Sequence, residues 1–413
     1  MKRTIAVVLM LCSVGCLLLC AVYFFRNTEE IQPTFADSGL EQESETVRSP
    51  APSPTPGPQV QTLRFSATGD NLIHNGIYEQ AKRRAQQNGS DGYDFSYCYE
   101  NIRQFYSGFD VNWINQETLV NDALEPSTYP RFSTPGDMGR QLYDLGFRVF
   151  NLSNNHTYDK GTPGLQATLD FWSSMPRDVI TAGLYVEASP KLAIQTVDGI
   201  RIAYLGFTEH TNGIKTPSDA PAHVIYTSEL DVMQQLLEQA RSEADVVVVS
   251  VHWGAEGSHS VTQGQRDLAQ KMADWGADVI IGTHPHVVQT AQWLTAADGR
   301  QTFVAYSLGN SLNAQSMADT MVGMVLTFTI EKTTQLDGSS STVIQNPLFY
   351  PTVNHYDADY ANIRIYLFND YTDELAAAHG VRDKFPGFSC SYIASMLKEN
   401  VDEQFLVLPE TAA

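Results

Sequence analysis

The chain has 413 residues, and its 26 Lys and Arg against 47 Asp and Glu leave a formal net charge of −21 at pH 7. At about 150 residues per domain this is one large or two medium domains, and an apolar content of 43% belongs to a globular chain rather than a disordered one. The acid excess excludes general nucleic-acid binding, which needs clustered Lys and Arg against phosphates, and counts against adhesion to an anionic membrane surface.

Residues 5–25, IAVVLMLCSVGCLLLCAVYFF, carry no charge, and at about 1.5 Å per residue in a helix they just span a hydrocarbon core of about 30 Å. Lys2 and Arg3 precede the run and Glu29 and Glu30 follow it. The positive-inside rule therefore keeps the amino terminus in the cytoplasm and sends the rest of the chain outside the cell. The run is longer than a signal h-region and lacks a small-x-small exit, so residues 1–25 read as an uncleaved single-pass membrane anchor. Ser13-Val14-Gly15-Cys16 is a poor lipoprotein box, without the usual Leu three residues before Cys16. Cys12, Cys16 and Cys20 fall within the run, which leaves Cys98 and Cys390 as either one disulfide or two buried thiols, in neither case a framework. Residues 26–61, with APSPTPGP at 51–58, read as a disordered Pro-rich stalk.

Beyond the stalk, strand-like runs at residues 63–68, 111–115, 148–152, 201–207, 245–252, 278–281 and 302–307 alternate with amphipathic stretches at 136–145, 163–174, 228–243 and 265–275. Runs such as VVVVSV, flanked by such stretches, are what strands buried on both faces look like. A layered α/β domain over residues 62–332 is expected, followed by closing strands and a small appendage over 333–413.

Residues able to hold metals gather just after these strands, where open α/β sheets place their sites. Asp70 follows Gly69 at the end of the first strand. Glu117 lies just past the second, in Asn115-Gln116-Glu117. Asn155 and His156 close the segment FNLSNNH, with Asp159 and Gly161 shortly after; His252 ends the most apolar strand. His284 and His286 follow Gly282 in IGTHPH. On extended backbone a His-x-His pair puts both rings on one side, able to reach one ion or two adjacent ions. The set of two carboxylates, an amide oxygen and four imidazoles suits Mn²⁺, Fe or Zn²⁺, and the absence of thiolates argues against a structural zinc site. His74 and His210 lie near these strands as further candidates, whereas His223, His259, His355 and His379 read as surface residues.

The order of motifs ATGD, NQE, NLSNNHTYDKG, VSVHWGAE, IIGTHPHVVQ and YSLGNSL resembles the CapA family of capsule and poly-γ-glutamate biosynthesis proteins, within the calcineurin-like metallophosphoesterase superfamily. The likeness spans roughly residues 63–330. It implies a four-layer α/β/β/α sandwich, here behind an N-terminal transmembrane helix. It also implies that Asp70, Glu117, Asn155, His252, His284 and His286 hold one or two divalent metals and that His156 is the catalytic histidine. The superfamily's opening Asp-x-His is missing, since Leu72 stands where the His would be, and Glu117 replaces a bridging Asp. One metal position is thereby short of a ligand.

The resemblance implies a membrane-anchored extracellular protein of capsule or poly-γ-glutamate synthesis and export. Its partner would be a cell-surface polymer, with a polymer-synthase complex as a further one. In the catalytic form it is a metal-dependent hydrolase of phosphoesters, esters or amides, in which the ion activates water and His156 protonates the leaving group. The alternative is a non-enzymatic accessory or scaffold protein of a polymer synthase with a structural or vestigial metal site. Retention of His156 and of the His-x-His pair opposes that alternative; the missing Asp-x-His favours it.

Overall fold

The computed structural model describes residues 57–186 and 190–409; the expected anchor and nearly all of the stalk lie outside them. No helix among the described residues is long and apolar enough to cross a membrane. In chain order the first stretch holds β1 (Gln59–Asn71), α1 (Asn75–Gln87), β2 (Val111–Asn115), the short strands β3 (Val120–Asn121) and β4 (Thr134–Pro135), α2 (Gly136–Leu145), β5 (Val149–Asn151), α3 (Gly161–Ser174) and β6 (Ile180–Ala182). The next holds β7 (Ala193–Val197), β8 (Ile200–Thr208), α4 (Leu230–Glu243), β9 (Val246–His252), α5 (Gln263–Trp275), β10 (Val279–Thr283), β11 (Val288–Thr295) and β12 (Gln301–Leu308). The chain closes with β13 (Asn310–Leu312), β14 (Val322–Thr334), β15 (Ser340–Asp357), β16 (Ala361–Leu367) and α6 (Cys390–Asn400).

These strands form a mixed α/β fold with two main sheets. The first has the order β16-β15-β14-β1-β2-β5-β6, with β13 added beside β1; the second has the order β11-β12-β10-β9-β8-β7. Within the first, β1, β2, β5 and β6 are parallel, and the closing strands β14 to β16 are antiparallel. In the second, β8, β9, β10 and β12 are parallel, with antiparallel strands on both edges.

Alternation along β9 explains how the sheets stack. Val246 and Val248 join a core shared with Leu63, Phe65 and Ala67 of β1, whereas Val247, Val249 and Val251 join a second core with Met233 and Leu237 of α4 and Ala269 and Met272 of α5. Successive side chains of a strand point to opposite faces, so β9 lies between the first sheet and a helix layer. Phe65 meets Tyr204 of β8 across the sheet interface, ring centroids 6.4 Å apart, and Phe150 of β5 packs on Trp172 of α3 at 4.4 Å. Each fully buried Val is worth roughly 1.5–3 kcal/mol, which is why VVVVSV tolerates no polar exposure on either face.

Two helices follow their sequence signals closely. α2 buries Met138, Leu142 and Leu145 at helical spacing and ends on Gly146, whose φ of +109° suits glycine. α5 opens on a capping box between Thr262 and Gln265. By contrast α1 and β13 carry no sequence signal: α1 begins on the turn-like pair Asn75-Gly76 without a side-chain cap, and β13 has only three residues.

Two expectations are corrected. His355 and His379 are buried core residues. His355 Nδ1 lies 2.7 Å from the Tyr371 hydroxyl and its Nε2 2.9 Å from Asp357, and His379 Nε2 lies 2.9 Å from the Asn354 carbonyl. These partners satisfy the rings' polarity inside the core, and most come from separate elements. Cys98 and Cys390 are both free, so the disulfide does not form. Cys98 is buried and its thiol is pushed up to about 12 by desolvation, whereas Cys390 is half-buried. Iodoacetamide labelling of the native protein, mapped by mass spectrometry, is expected to modify Cys390 and leave Cys98 untouched until denaturant is added.

Candidate metal centre

The ends of parallel strands from both sheets converge on one buried cluster. Asp70 closes β1, and Glu117 lies two residues past β2. Asn155 and His156 follow β5, His252 closes β9, and His284 and His286 follow β10. All seven are at most 5% exposed. Glu117 stands at the centre: its carboxylate belongs to a group with His284 and His286 and to another with Asp70 and His252, the ligand atoms of each lying within 4.8 Å of one another.

Close backbone approach makes the cluster possible. A Cβ on Gly69 would stand 1.8 Å from the Gly309 carbonyl oxygen, the same oxygen that accepts the Asp70 N–H at 2.9 Å. Only glycine lets β1 deliver Asp70 there. The His-x-His pair departs from expectation. His284 and His286 have φ of +98° and +59°, so they sit on a left-handed bend, not on extended backbone. Such conformations cost a non-glycine residue about 1–3 kcal/mol each. The bend is held where the His284 N–H donates to Asp70 Oδ2 at 3.1 Å.

Each donor is aimed by a neighbour. Asn115 Nδ2 donates to Asp70 Oδ1 at 2.7 Å. The Thr283 hydroxyl lies 2.9 Å from His252 Nδ1, and His252 Nε2 faces Asn155 Oδ1 at 3.0 Å and Glu117 Oε1 at 3.7 Å. Asn155 Nδ2 donates to Asn212 Oδ1 at 3.3 Å, which fixes its amide with the oxygen toward His252. His156 Nδ1 lies 2.8 Å from Asp159 Oδ2, and that oxygen also accepts the Phe132 N–H at 2.7 Å. The Phe132 ring stands edge-on to His156 at 4.8 Å. Asn115, Thr283 and Asp159 thus have aiming roles that strand-end spacing does not reveal; Asp159, three residues after His156, is the one that an Asn-His-x-x-Asp spacing could have signalled.

Electrostatically the cluster is rich in acceptors and short of donors. Both Glu117 carboxylate oxygens and His284 Nδ1 are buried with no hydrogen-bond partner. Burial, then the like charges of Asp70, Glu256 and Asp159, hold the Glu117 carboxyl well above its usual range. Burial, then neighbouring imidazoles, push His252 well below its ordinary value and His284 down to about 3, so both rings are neutral at pH 7 with lone pairs available. A buried carboxylate without donors is costly, and neutral imidazoles facing carboxylate and amide oxygens are the set that a divalent cation satisfies. His210 packs edge-on to His284 with centroids 4.9 Å apart. His74 lies behind Phe132 at 5.3 Å, and its Nδ1 accepts the Ala314 N–H. Neither belongs to the two ligand groups.

A model of the bacterial capsule synthesis protein family PGA_cap matches residues 64–315. The chain is 29% identical over 285 residues to the PGA biosynthesis protein CapA of Bacillus subtilis (strain 168), an alignment covering 67% of this chain and 71% of that one. To the capsule biosynthesis protein CapA of Bacillus anthracis it is 34% identical over 176 residues, 41% of either chain. A weaker likeness, with a TM-score of 0.38 and 15% identity, links it to the NAD nucleotidase of Haemophilus influenzae, over 83% of this chain and 60% of that one.

Proposed function

Because the chain belongs to the bacterial capsule synthesis protein family PGA_cap, we propose that it is a membrane-anchored, extracellular metal-dependent hydrolase acting on a capsule polymer such as poly-γ-glutamate. Residues 1–25 form its anchor, and residues beyond the stalk its working domain, with the four-layer sandwich of the metallophosphoesterases. Asp70, Glu117, Asn155, His252, His284 and His286 hold one or two divalent ions. The observation that carries the reading is the Glu117 carboxylate, buried without a donor between His252 and His286.

A divalent ion bound there supplies Lewis-acid chemistry, polarising a phosphoryl or acyl oxygen and bringing the pKa of water toward neutrality. The chain's own part is proton delivery. With Nδ1 held by Asp159, His156 keeps Nε2 for the leaving group, and the carboxylate supports the imidazolium before the proton is given up. Phe132, edge-on to the ring, limits its rotation and excludes water from one side. A surface of net charge −21 repels a polyanion over most of its area, so attraction is confined to the cluster itself.

The test is complementation of a gene deletion with His156→Ala. Capsule below a tenth of the wild-type amount, from a variant that still binds metal, is the expected result. Full rescue would instead establish the accessory reading, for which the missing Asp-x-His speaks. Purified protein with Mn²⁺, Fe²⁺ or Zn²⁺ and a chromogenic phosphoester then separates phosphoester hydrolysis from ester or amide chemistry.

A further inference from the structure

Resting on that reading, we propose that Asn310, in the segment YSLGNSL, is a metal ligand, its side-chain oxygen replacing the imidazole that the missing Asp-x-His would have supplied. On β1, position 72 lies on the same face as position 70 and carries Leu72, which cannot ligate. The replacement comes from across the sheet: β13 runs parallel to β1 with Asn310 paired to Asp70. Paired residues on adjacent strands project to the same face about 4.8 Å apart.

The amide is buried, 1% exposed, and its orientation is fixed. Its Nδ2 lies 2.9 Å from Gln315 Oε1, 3.0 Å from the Thr320 carbonyl and 3.3 Å from the His286 carbonyl, all acceptors. Oδ1 therefore faces the cluster, where it lies 3.1 Å from His286 Nδ1; the same nitrogen lies 3.1 Å from Asp70 Oδ2. Two oxygens thus crowd one imidazole nitrogen, an arrangement held by a proton when the ring is protonated there and by a cation when it is not. Oxygen ligation also fits the hard end of the metals that this donor set suits, Mn²⁺ before Zn²⁺.

Calorimetric titration of the full-length protein with Mn²⁺ tests the assignment, alongside Co²⁺ absorption as a report on the ligand sphere. Asn310→Leu, of similar volume, is expected to weaken one site at least tenfold or abolish it and to change the Co²⁺ band. Asn310→Asp, which keeps an oxygen in place, is expected to retain the wild-type stoichiometry with a shifted band. Asn310→Leu with wild-type affinity, stoichiometry and spectrum overturns the assignment while leaving the metal centre standing. Should Asn310→Leu fail to fold, loss of an ion by a folded Asn310→Asp overturns it equally. Wild-type protein that binds no Mn²⁺ and no Co²⁺ overturns both the assignment and the function it rests on.

Discussion

Replacing His284 and His286 together with Ala is expected to abolish stoichiometric metal binding and leave a folded protein. Their two rings reach one of the ligand groups around Glu117, and no other imidazole among the described residues replaces them, since His210 contacts His284 and belongs to neither group. Loss of two ligands of three in a group should weaken binding at least a thousandfold, about 4 kcal/mol. The fold should survive because His284 Nδ1 makes no hydrogen bond and its neutral ring is replaced by a neutral methyl. The measurement is metal content of wild type and variant after the same loading, with melting curves beside it. At a hundredfold excess over Kd, ligand binding raises stability by about 2.7 kcal/mol; the variant should show no such rise. Stoichiometric metal in the variant, or in neither protein, would remove the proposed centre.

Glu117→Gln should act in opposite directions with and without metal. In the metal-free protein the carboxylate is buried, has no donor, and stands near Asp70. An isosteric amide removes the buried charge, so the metal-free variant is expected to be more stable than wild type at pH 8 by about 1–3 kcal/mol. With metal, the variant should lose the shared ligand and most of the metal-induced rise in melting temperature. The pH dependence has a definite sign. A carboxyl raised above its ordinary 4.5 binds its proton more tightly in the folded state. Its contribution is therefore full below pH 4.5 and falls as pH rises, by up to about 1.4 kcal/mol per pH unit. Subtracting the variant's stability from that of metal-free wild type, from urea melts between pH 5 and 8, should give that falling slope. A flat difference would show Glu117 to be paired or solvated in the metal-free protein.

The parts of this site that were legible in the sequence are those written in local order. Asp70, Glu117, Asn155, His252 and the His-x-His pair each stand at or just past a strand that hydrophobic patterning marks, and β2 and α2 have the bounds expected of them. The illegible parts depend on which strands become neighbours. Nothing near Asn310 announces that a three-residue strand will lie against β1 beside Asp70, and nothing near Thr283 announces that its hydroxyl will aim His252. The left-handed bend at His284 and His286 also escaped, because local preference for these residues favours extended backbone, whereas the Asp70 carboxylate holds the His284 N–H where that preference is overridden. His355 and His379 were misread for the same reason, their partners being largely remote in sequence.

Asp70 and His284 are 214 residues apart in the chain and belong to different sheets, so the cluster assembles only after the two sheets have docked. An ion bound there is absent from the early, partly formed states of folding and present only at the end. It should therefore slow unfolding without hastening folding, acting as a kinetic clasp across the sheet interface. For a protein working outside the cell, beyond the reach of intracellular chaperones, the metal would then determine how long the domain persists as well as what it does.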